Sequence, residues 1–254
     1  MLAITHVPSP KIQQCELTYV SRTVIEYPRA LLQHDSYCRM LRDCGAEVRV
    51  LDVNRDYPDC VFIEDTAVVL DEVAVLASMG AESRRAEPAG IEPELRKYRE
   101  VQRVELPGTL EGGDVVRVGR TLLVGLSSRT NPAGLAALAR VAAPHDYRVV
   151  GVPLRDCLHL KSACTSLPDR RLLINPAWVD ARSLPGFECV HVPGEEPAAA
   201  DVMSIGMRVC VTAAHPRTAE MLDRFGFEVH MTDLSEFAKA EGGVTCLSLI
   251  LGSH

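Results

Sequence analysis

The 254-residue chain is 47% apolar and 24% charged, with a formal net charge of −7. Length and apolar content suffice for a buried core without metal or disulfide staples, and they argue against a disordered chain. The acidic balance gives no support for a nucleic-acid or anionic-membrane partner, and the longest stretch without Asp, Glu, Lys or Arg, Gly242–His254, has 13 residues, too few to span a bilayer. Met1-Leu-Ala-Ile runs straight into strand-like sequence instead of the basic and apolar regions of a secretion signal, which predicts a cytoplasmic protein. The nine cysteines are odd in number and contain no Cys-x-x-Cys pair. Cys157, His159 and Cys164 match no common zinc spacing, so reduced, mostly buried thiols are expected, with no metal and no cofactor.

In chain order, a strand at Leu2–Val7 precedes a helix expected over Pro28–Cys44, its apolar side at Leu31, Leu32, Tyr37 and Leu41, and a strand at Glu47–Leu51. A hairpin opens at Asp65, followed by a helix at Ile91–Tyr98 and a strand at Val101–Leu106. A second hairpin opens at Asp114, with a helix at Pro132–Ala143 and a strand at Arg148–Val152. A third opens at His159 and leads to the strand Glu188–Val192 through Asp180–Pro185, the weakest helical stretch. A fourth opens at Asp201, with a helix at Pro216–Phe225 and a strand at Glu228–Met231, and Cys246 opens one last strand. Several helices begin at proline, which suits a first turn.

The residues opening these hairpins are spaced by 49, 45, 42 and 45 positions. A repeat of this length marks a repeated supersecondary unit. Two strands, a helix and a third strand do not fit a four-stranded all-β blade, and a doubly wound sheet would not explain polar residues at equivalent places. The expected fold is α/β, a five-bladed αβ-propeller of ββαβ units, closed by pairing the N- and C-terminal strands so that no sheet edge stays open. One domain over residues 1–254 is expected, with Asp65, Asp114, His159, Asp201 and Cys246 converging on its axis.

Six motifs carry a resemblance: Phe62-Ile-Glu-Asp65, Glu82-Ser-Arg-Arg85, Leu110-Glu-Gly-Gly-Asp114, Ser128-Arg-Thr-Asn131, His159-Leu-Lys161 and Gly242-Gly-Val-Thr-Cys246. In this order the chain resembles the dimethylarginine dimethylaminohydrolases of the guanidine-modifying (pentein) superfamily, from Leu17 to Cys246. The resemblance implies a five-bladed αβ-propeller and hydrolysis of Nω-methylated arginine to citrulline and a methylamine. It makes Cys246 the nucleophile that forms a thiouronium intermediate, His159 the general acid and then base, and Glu111 their catalytic partner. Asp65 and Glu111 would hold the guanidinium, with Glu64 beside them. Arg84 and Arg129 would clamp the α-carboxylate, with Asp59 and the Leu17 backbone near the α-amine and Phe62 against the stem. Asp114 either backs the site or merely opens a strand.

Bottom-up chemistry accommodates these roles. A thiolate is the reactive sulfur form, imidazole titrates near neutrality, and planar N–H cations match paired carboxylates. The resemblance implies a small-molecule partner and a monomer or homodimer. Arginine deiminases and amidinotransferases share the cysteine, histidine and carboxylates but carry insertions for which this chain has no room. A non-catalytic arginine-binding protein would need neither Cys246 nor His159. Gly112-Gly113 is expected to loosen the loop after Glu111, and Ala240-Glu241 is a departure expected not to touch the catalytic groups.

Overall fold

The repeat is realised as five small mixed sheets. The computed structural model describes residues 1–252, and its fifteen strands, β1 to β15 in chain order, form five three-stranded sheets. In the first, β1 (Leu2–His6) lies between β15 (Ser248–Leu251), antiparallel, and β2 (Glu47–Leu51), parallel. The two ends of the chain therefore pair, as expected.

The other four sheets copy this pattern. The second holds β3 (Ala67–Val69), β4 (Val73–Leu76) and β5 (Glu100–Arg103). The third holds β6 (Val115–Val118), β7 (Thr121–Leu126) and β8 (Arg148–Pro153). The fourth holds β9 (Cys164–Ser166), β10 (Leu172–Ile174) and β11 (Cys189–His191), and the fifth β12 (Met203–Ile205), β13 (Arg208–Thr212) and β14 (Glu228–Thr232). Each begins with a tight hairpin and ends with a parallel strand, which requires a crossover. The crossovers are α1 (Tyr27–Asp43), α2 (Glu87–Leu95), α3 (Pro132–Ala142) and α5 (Pro216–Arg224); α4 (Leu160–Ala163) and α6 (Ser235–Ala238) are single turns. In the fourth unit the crossover carries only a 3₁₀ turn, Ala181–Ser183, whose first amides are met by Asp180.

Two details differ from the sequence reading. α1 buries Ala30, Gln33, His34, Tyr37, Cys38, Met40 and Leu41, whereas Leu31 and Leu32 are exposed. The stripe containing Tyr37 and Leu41 runs back through Ala30 and His34, and Leu31 and Leu32 lie around the helix from it. Helix α2 starts four residues earlier than expected because Pro88 occupies its first turn. Asn131 caps α3 by accepting from the Gly134 amide at 2.8 Å.

Neighbouring units touch in chain order. Ser78 bridges to Leu110 and Leu154 to Val179. Thr165 donates to the Ala200 carbonyl, Arg208 to the Cys44 carbonyl, and the Glu64 amide to the Cys246 carbonyl. The apolar core lies between crossovers and sheets; around α1 it gathers Tyr37, Leu41, Phe62, Phe237, Val244 and Leu247. Seven cysteines are buried, all but Cys60 within the apolar cores, leaving Cys189 and Cys246 partly buried.

Candidate active site

The hairpin-opening residues are not the first residues of strands. Asp65 lies in the 3₁₀ turn Ile63–Thr66, Asp114 in Gly112–Asp114, and His159 directly precedes α4. Asp201 precedes β12, and Cys246 lies in the turn before β15. A turn lets one residue aim its side chain along the strand direction, which a pleated strand position does not.

These turns interlock. His159 Nε2 meets Glu111 Oε2 at 2.8 Å, and His159 Nδ1 lies 3.7 Å from Asp65 Oδ1. The other Glu111 oxygen accepts from the Gly80 amide at 2.9 Å and has Arg129 Nη1 at 3.7 Å. Asp65 accepts from the Gly113 amide and from Arg84 Nη1 at 2.7 Å. Asp114 accepts from the Leu160 amide at 3.0 Å and from Ser127 Oγ at 2.6 Å, so it sets the turn on which His159 rides. Of the two sequence readings for Asp114, backing the site fits.

Burial disfavours the imidazolium, but Asp65, Asp114 and the bonded Glu111 outweigh it and push the His159 pKa up to about 9. Burial likewise opposes the Glu111 carboxylate, yet His159, Arg84 and Arg129 hold it below the usual carboxylate range. Donor atoms of Asp65, Glu111 and His159 all lie within 4.8 Å of one another, a spacing a metal could bridge. The Arg84 and Arg129 guanidiniums already stand beside these carboxylates, and the carboxylate lone pairs that remain suit a flat organic cation with N–H donors.

Cys246 is held from several units at once. Tyr37 Oη donates to the Val244 carbonyl at 2.9 Å, Thr245 Oγ1 to Glu64 Oε2 at 2.9 Å, and the Thr245 amide to Asp201 Oδ1 at 3.1 Å. The Gly243 amide donates to Cys246 Sγ at 3.3 Å, and Sγ lies 3.9 Å from Asp201 Oδ2. Burial, then Asp201, Glu64 and Asp65, raise the thiol pKa well above its ordinary value, opposed by the Gly243 amide. The free protein thus disfavours a thiolate, and a cation arriving among these carboxylates reverses that bias. Glu64 is paired with Lys161 at 2.6 Å. A cavity of about 470 Å³ reaches Glu64, Lys161 and Thr245 but is not lined by Asp65, Glu111, His159 or Cys246.

The remaining expected site residues are placed unequally. Asp59 is buried and accepts from the Glu16 amide, next to partly buried Leu17. Burial raises the Asp59 pKa to about 7. Phe62 packs edge-on to Phe237 at 6.5 Å, and a Cβ on Gly242 would strike its ring. Arg84 is fully engaged inside the protein, with Asp65, the Glu87 carboxylate and the Phe62 carbonyl. In this state it serves Asp65. Arg129 reaches Thr18 Oγ1 at 3.2 Å and so bridges Glu111 to the segment around Leu17.

The Glu241 carboxylate gathers the amides of Thr18, Tyr19 and Val20 and latches that segment beside the Cys246 turn. One sequence expectation needs correction: Gly112-Gly113 is not loose. Both glycines are buried, and a Cβ would lie 2.0 Å from the Glu64 carbonyl at Gly112 and 2.7 Å from Asp65 Oδ1 and His159 Nδ1 at Gly113. Gly113→Ala is therefore expected to lower turnover about 100-fold by forcing Asp65 and His159 apart. Gly194→Ala, where a Cβ meets nothing within 4 Å, is the control and should leave turnover unchanged.

The raised pKa values set a stability expectation. A group whose folded pKa lies above its unfolded value stabilises the fold fully below the unfolded pKa and loses this as pH climbs through the folded one. His159 acts so between its ordinary 6.5 and about 9. Burial pushes Asp114 to about 6 and Asp201 to about 7, which acts in the same direction at lower pH. The melting temperature should fall as pH is raised from 6 to 9, and a flat or rising curve would contradict these assignments.

Glu87, Lys161, Asp201 and Glu241 were given no individual role by the sequence reading. Asp201 carried a signal in its place in the repeat and Lys161 in its motif, whereas Glu87 carried none.

A strand-turn frame that presents one cysteine, one histidine bonded to a carboxylate and further buried carboxylates defines an enzyme class: thiol attack on a planar cationic carbon, with acid–base help. The comparisons specify it. The model of the family "N,N dimethylarginine dimethylhydrolase, eukaryotic" matches residues 17–164. The N(G),N(G)-dimethylarginine dimethylaminohydrolase of Streptomyces coelicolor is 43% identical over 98% of this chain and 96% of its own length. That of Pseudomonas aeruginosa is 35% identical over 88% and 89%. A solved structure of the Pseudomonas aeruginosa enzyme, a Cys-to-Ser variant complexed with citrulline, superposes with TM-score 0.92 at 33% identity, covering 97% of both chains. The chain belongs to the dimethylarginine dimethylaminohydrolase family.

Proposed function

We propose that this protein hydrolyses Nω-methylated arginine, asymmetric dimethylarginine and monomethylarginine, to citrulline and the corresponding methylamine. The observation that carries this is the similarity, over 98% of this chain, to a dimethylarginine dimethylaminohydrolase, in a chain that places Cys246 and a hydrogen-bonded His159–Glu111 pair at the turns between its sheets. The guanidinium enters among Asp65, Glu111 and Glu64, where its charge offsets their repulsion of a thiolate. Cys246 Sγ bonds to the guanidinium carbon. Protonated His159 gives its proton to the departing amine as the carbon–nitrogen bond breaks, leaving a Cys246 thiouronium. Neutral His159 then takes a proton from water as the oxygen bonds to that carbon, and the carbon–sulfur bond breaks to release citrulline.

Arg129 is the cation with spare capacity for the α-carboxylate, Arg84 braces Asp65, and Asp59 with the Leu17 backbone faces the α-amine. Phe62 lines the stem. The unit-to-unit contacts and paired chain ends support a single catalytic domain, a five-bladed αβ-propeller, over residues 1–254. No helix among the described residues is long and apolar enough to cross a membrane. We place the enzyme in the cytoplasm, as a monomer or homodimer, without nucleic-acid or membrane partners. Incubation with asymmetric dimethylarginine should release citrulline and dimethylamine in equal amounts; ligand binding without citrulline would overturn the reading, and faster release from arginine would make it a deiminase.

A further inference from the structure

Asp201 is a carboxylate within hydrogen-bonding reach of the nucleophile's sulfur, and the reaction above leaves it unused. Its side chain is buried. One oxygen, Oδ1, accepts the Thr245 amide at 3.1 Å; the other, Oδ2, faces Cys246 Sγ at 3.9 Å. Gly243 leaves the space Oδ2 occupies, since a Cβ there would lie 1.8 Å from it. The groups facing this pair are Glu64 and Asp65 from the Ile63–Thr66 turn, Lys161 from α4, and Thr245 from the same turn as Cys246. Lys161 is spent on Glu64.

A thiolate beside an ionised Asp201 would be two negative charges in contact with no free cation between them. One proton on the pair removes the conflict.

We propose that Asp201 and Cys246 share a single proton, and that in the attacking state it resides on Asp201 Oδ2 and is donated to the Cys246 thiolate. The transfer is internal: the Sγ–H bond breaks, the Oδ2–H bond forms, and the negative charge passes from carboxylate to sulfur with no proton gained or lost. Meanwhile Oδ1 keeps the Thr245 amide and thereby the direction of Sγ. Asp201 touches a reacting atom and is a catalytic residue that positions and protonates, distinct from His159, which handles the leaving amine and water. Burial raises both groups, the thiol further than Asp201, so the free pair keeps its proton on sulfur and the shift to Oδ2 awaits the cation. This deepens the hydrolase reading and rests on it.

The test is the pH dependence of Cys246 alkylation by iodoacetamide, read by peptide mapping so that the other eight cysteines do not interfere. In the wild type with saturating guanidinium ion in the site, the rate should rise in two steps, one near pH 7 as the pair loses its first proton and one far higher as it loses the second. Asp201→Asn keeps an N–H for sulfur and an oxygen for the Thr245 amide but cannot titrate, so a single step is expected. Superimposable wild-type and Asp201→Asn profiles would overturn the proposal. In turnover, Asp201→Ala should lower kcat at least about tenfold, the worth of a hydrogen bond to a charged group, with KM within about threefold. Asp201→Asn keeps the Thr245 amide bond but cannot take the Sγ proton, so it should lose as much at neutral pH and recover only as pH is raised. Wild-type kcat in Asp201→Asn at neutral pH would reduce Asp201 to positioning and overturn the proposal. Alkylation needs no substrate, so if the wild type releases no citrulline the hydrolase reading fails while the shared proton is still decided.

Discussion

Cys246→Ala should abolish citrulline formation, a loss of at least about 10⁴-fold in kcat, because removing a covalent nucleophile removes the reaction path and not one contact. The fold should survive. The turn is held by Tyr37, Asp201 and Glu64 acting on the backbone and side chains of Val244, Thr245 and Cys246, and the sulfur itself enters only the contacts with the Gly243 amide and Asp201 Oδ2. Removing Sγ also removes the group whose ionisation the carboxylates oppose. The variant should therefore bind dimethylarginine at least as tightly as the wild type. Residual turnover within about tenfold of wild type would show that another group attacks the guanidinium carbon.

His159→Ala has the second largest expected effect and a different signature. The first step loses its proton donor, but the second loses the base that activates water, and no other titratable side chain bonds to Glu111 on this side. Turnover should fall about 10³-fold, at the upper part of the range for acid–base groups, and a substrate analogue with a good leaving group should leave a thiouronium on Cys246 that persists for hours. The prediction separates the two roles: a variant that neither turns over nor accumulates adduct would show that His159 is needed to form the intermediate alone. Glu111 and Asp65, left without their partner, would be buried with less compensation, so a lower melting temperature should accompany the loss.

The repeat was legible because hydrophobic alternation and turn residues are local signals, and the 42–49 residue spacing of five polar openers corresponds to five sheets of one pattern in the structure. Pairing of Leu2–His6 with Ser248–Leu251 followed from the same logic, since each end lacked a partner. The repeat alone marked the positions of Asp65, His159 and Cys246, and the family resemblance supplied the roles expected of them. What local signals do not carry is the pairing of side chains across units. Lys161 joins Glu64 over 97 positions, and Glu241 latches Thr18 over 223. Both depend on how neighbouring units abut, and neither charge sits in a periodic pattern that would mark it.

Arg84 illustrates the other limit. Its motif marks it as a functional arginine, but its three partners, Asp65, Glu87 and the Phe62 carbonyl, are set by how the Glu82–Arg84 turn folds back on the Ile63–Thr66 turn. The Gly112-Gly113 pair was misread for a similar reason. A glycine pair in sequence signals freedom; in the fold it signals close approach, because the Glu64 carbonyl, Asp65 and His159 occupy the space of the missing side chains.

The central claim is that Cys246 carries the amidino carbon during turnover. Wild-type protein mixed with asymmetric dimethylarginine, quenched in acid within the first turnovers and mapped by peptide mass spectrometry, should show the thiouronium on the Cys246 peptide, forming and decaying at rates consistent with citrulline release. Steady citrulline release with no adduct at Cys246, or with the adduct on any of the other cysteines, would contradict the account.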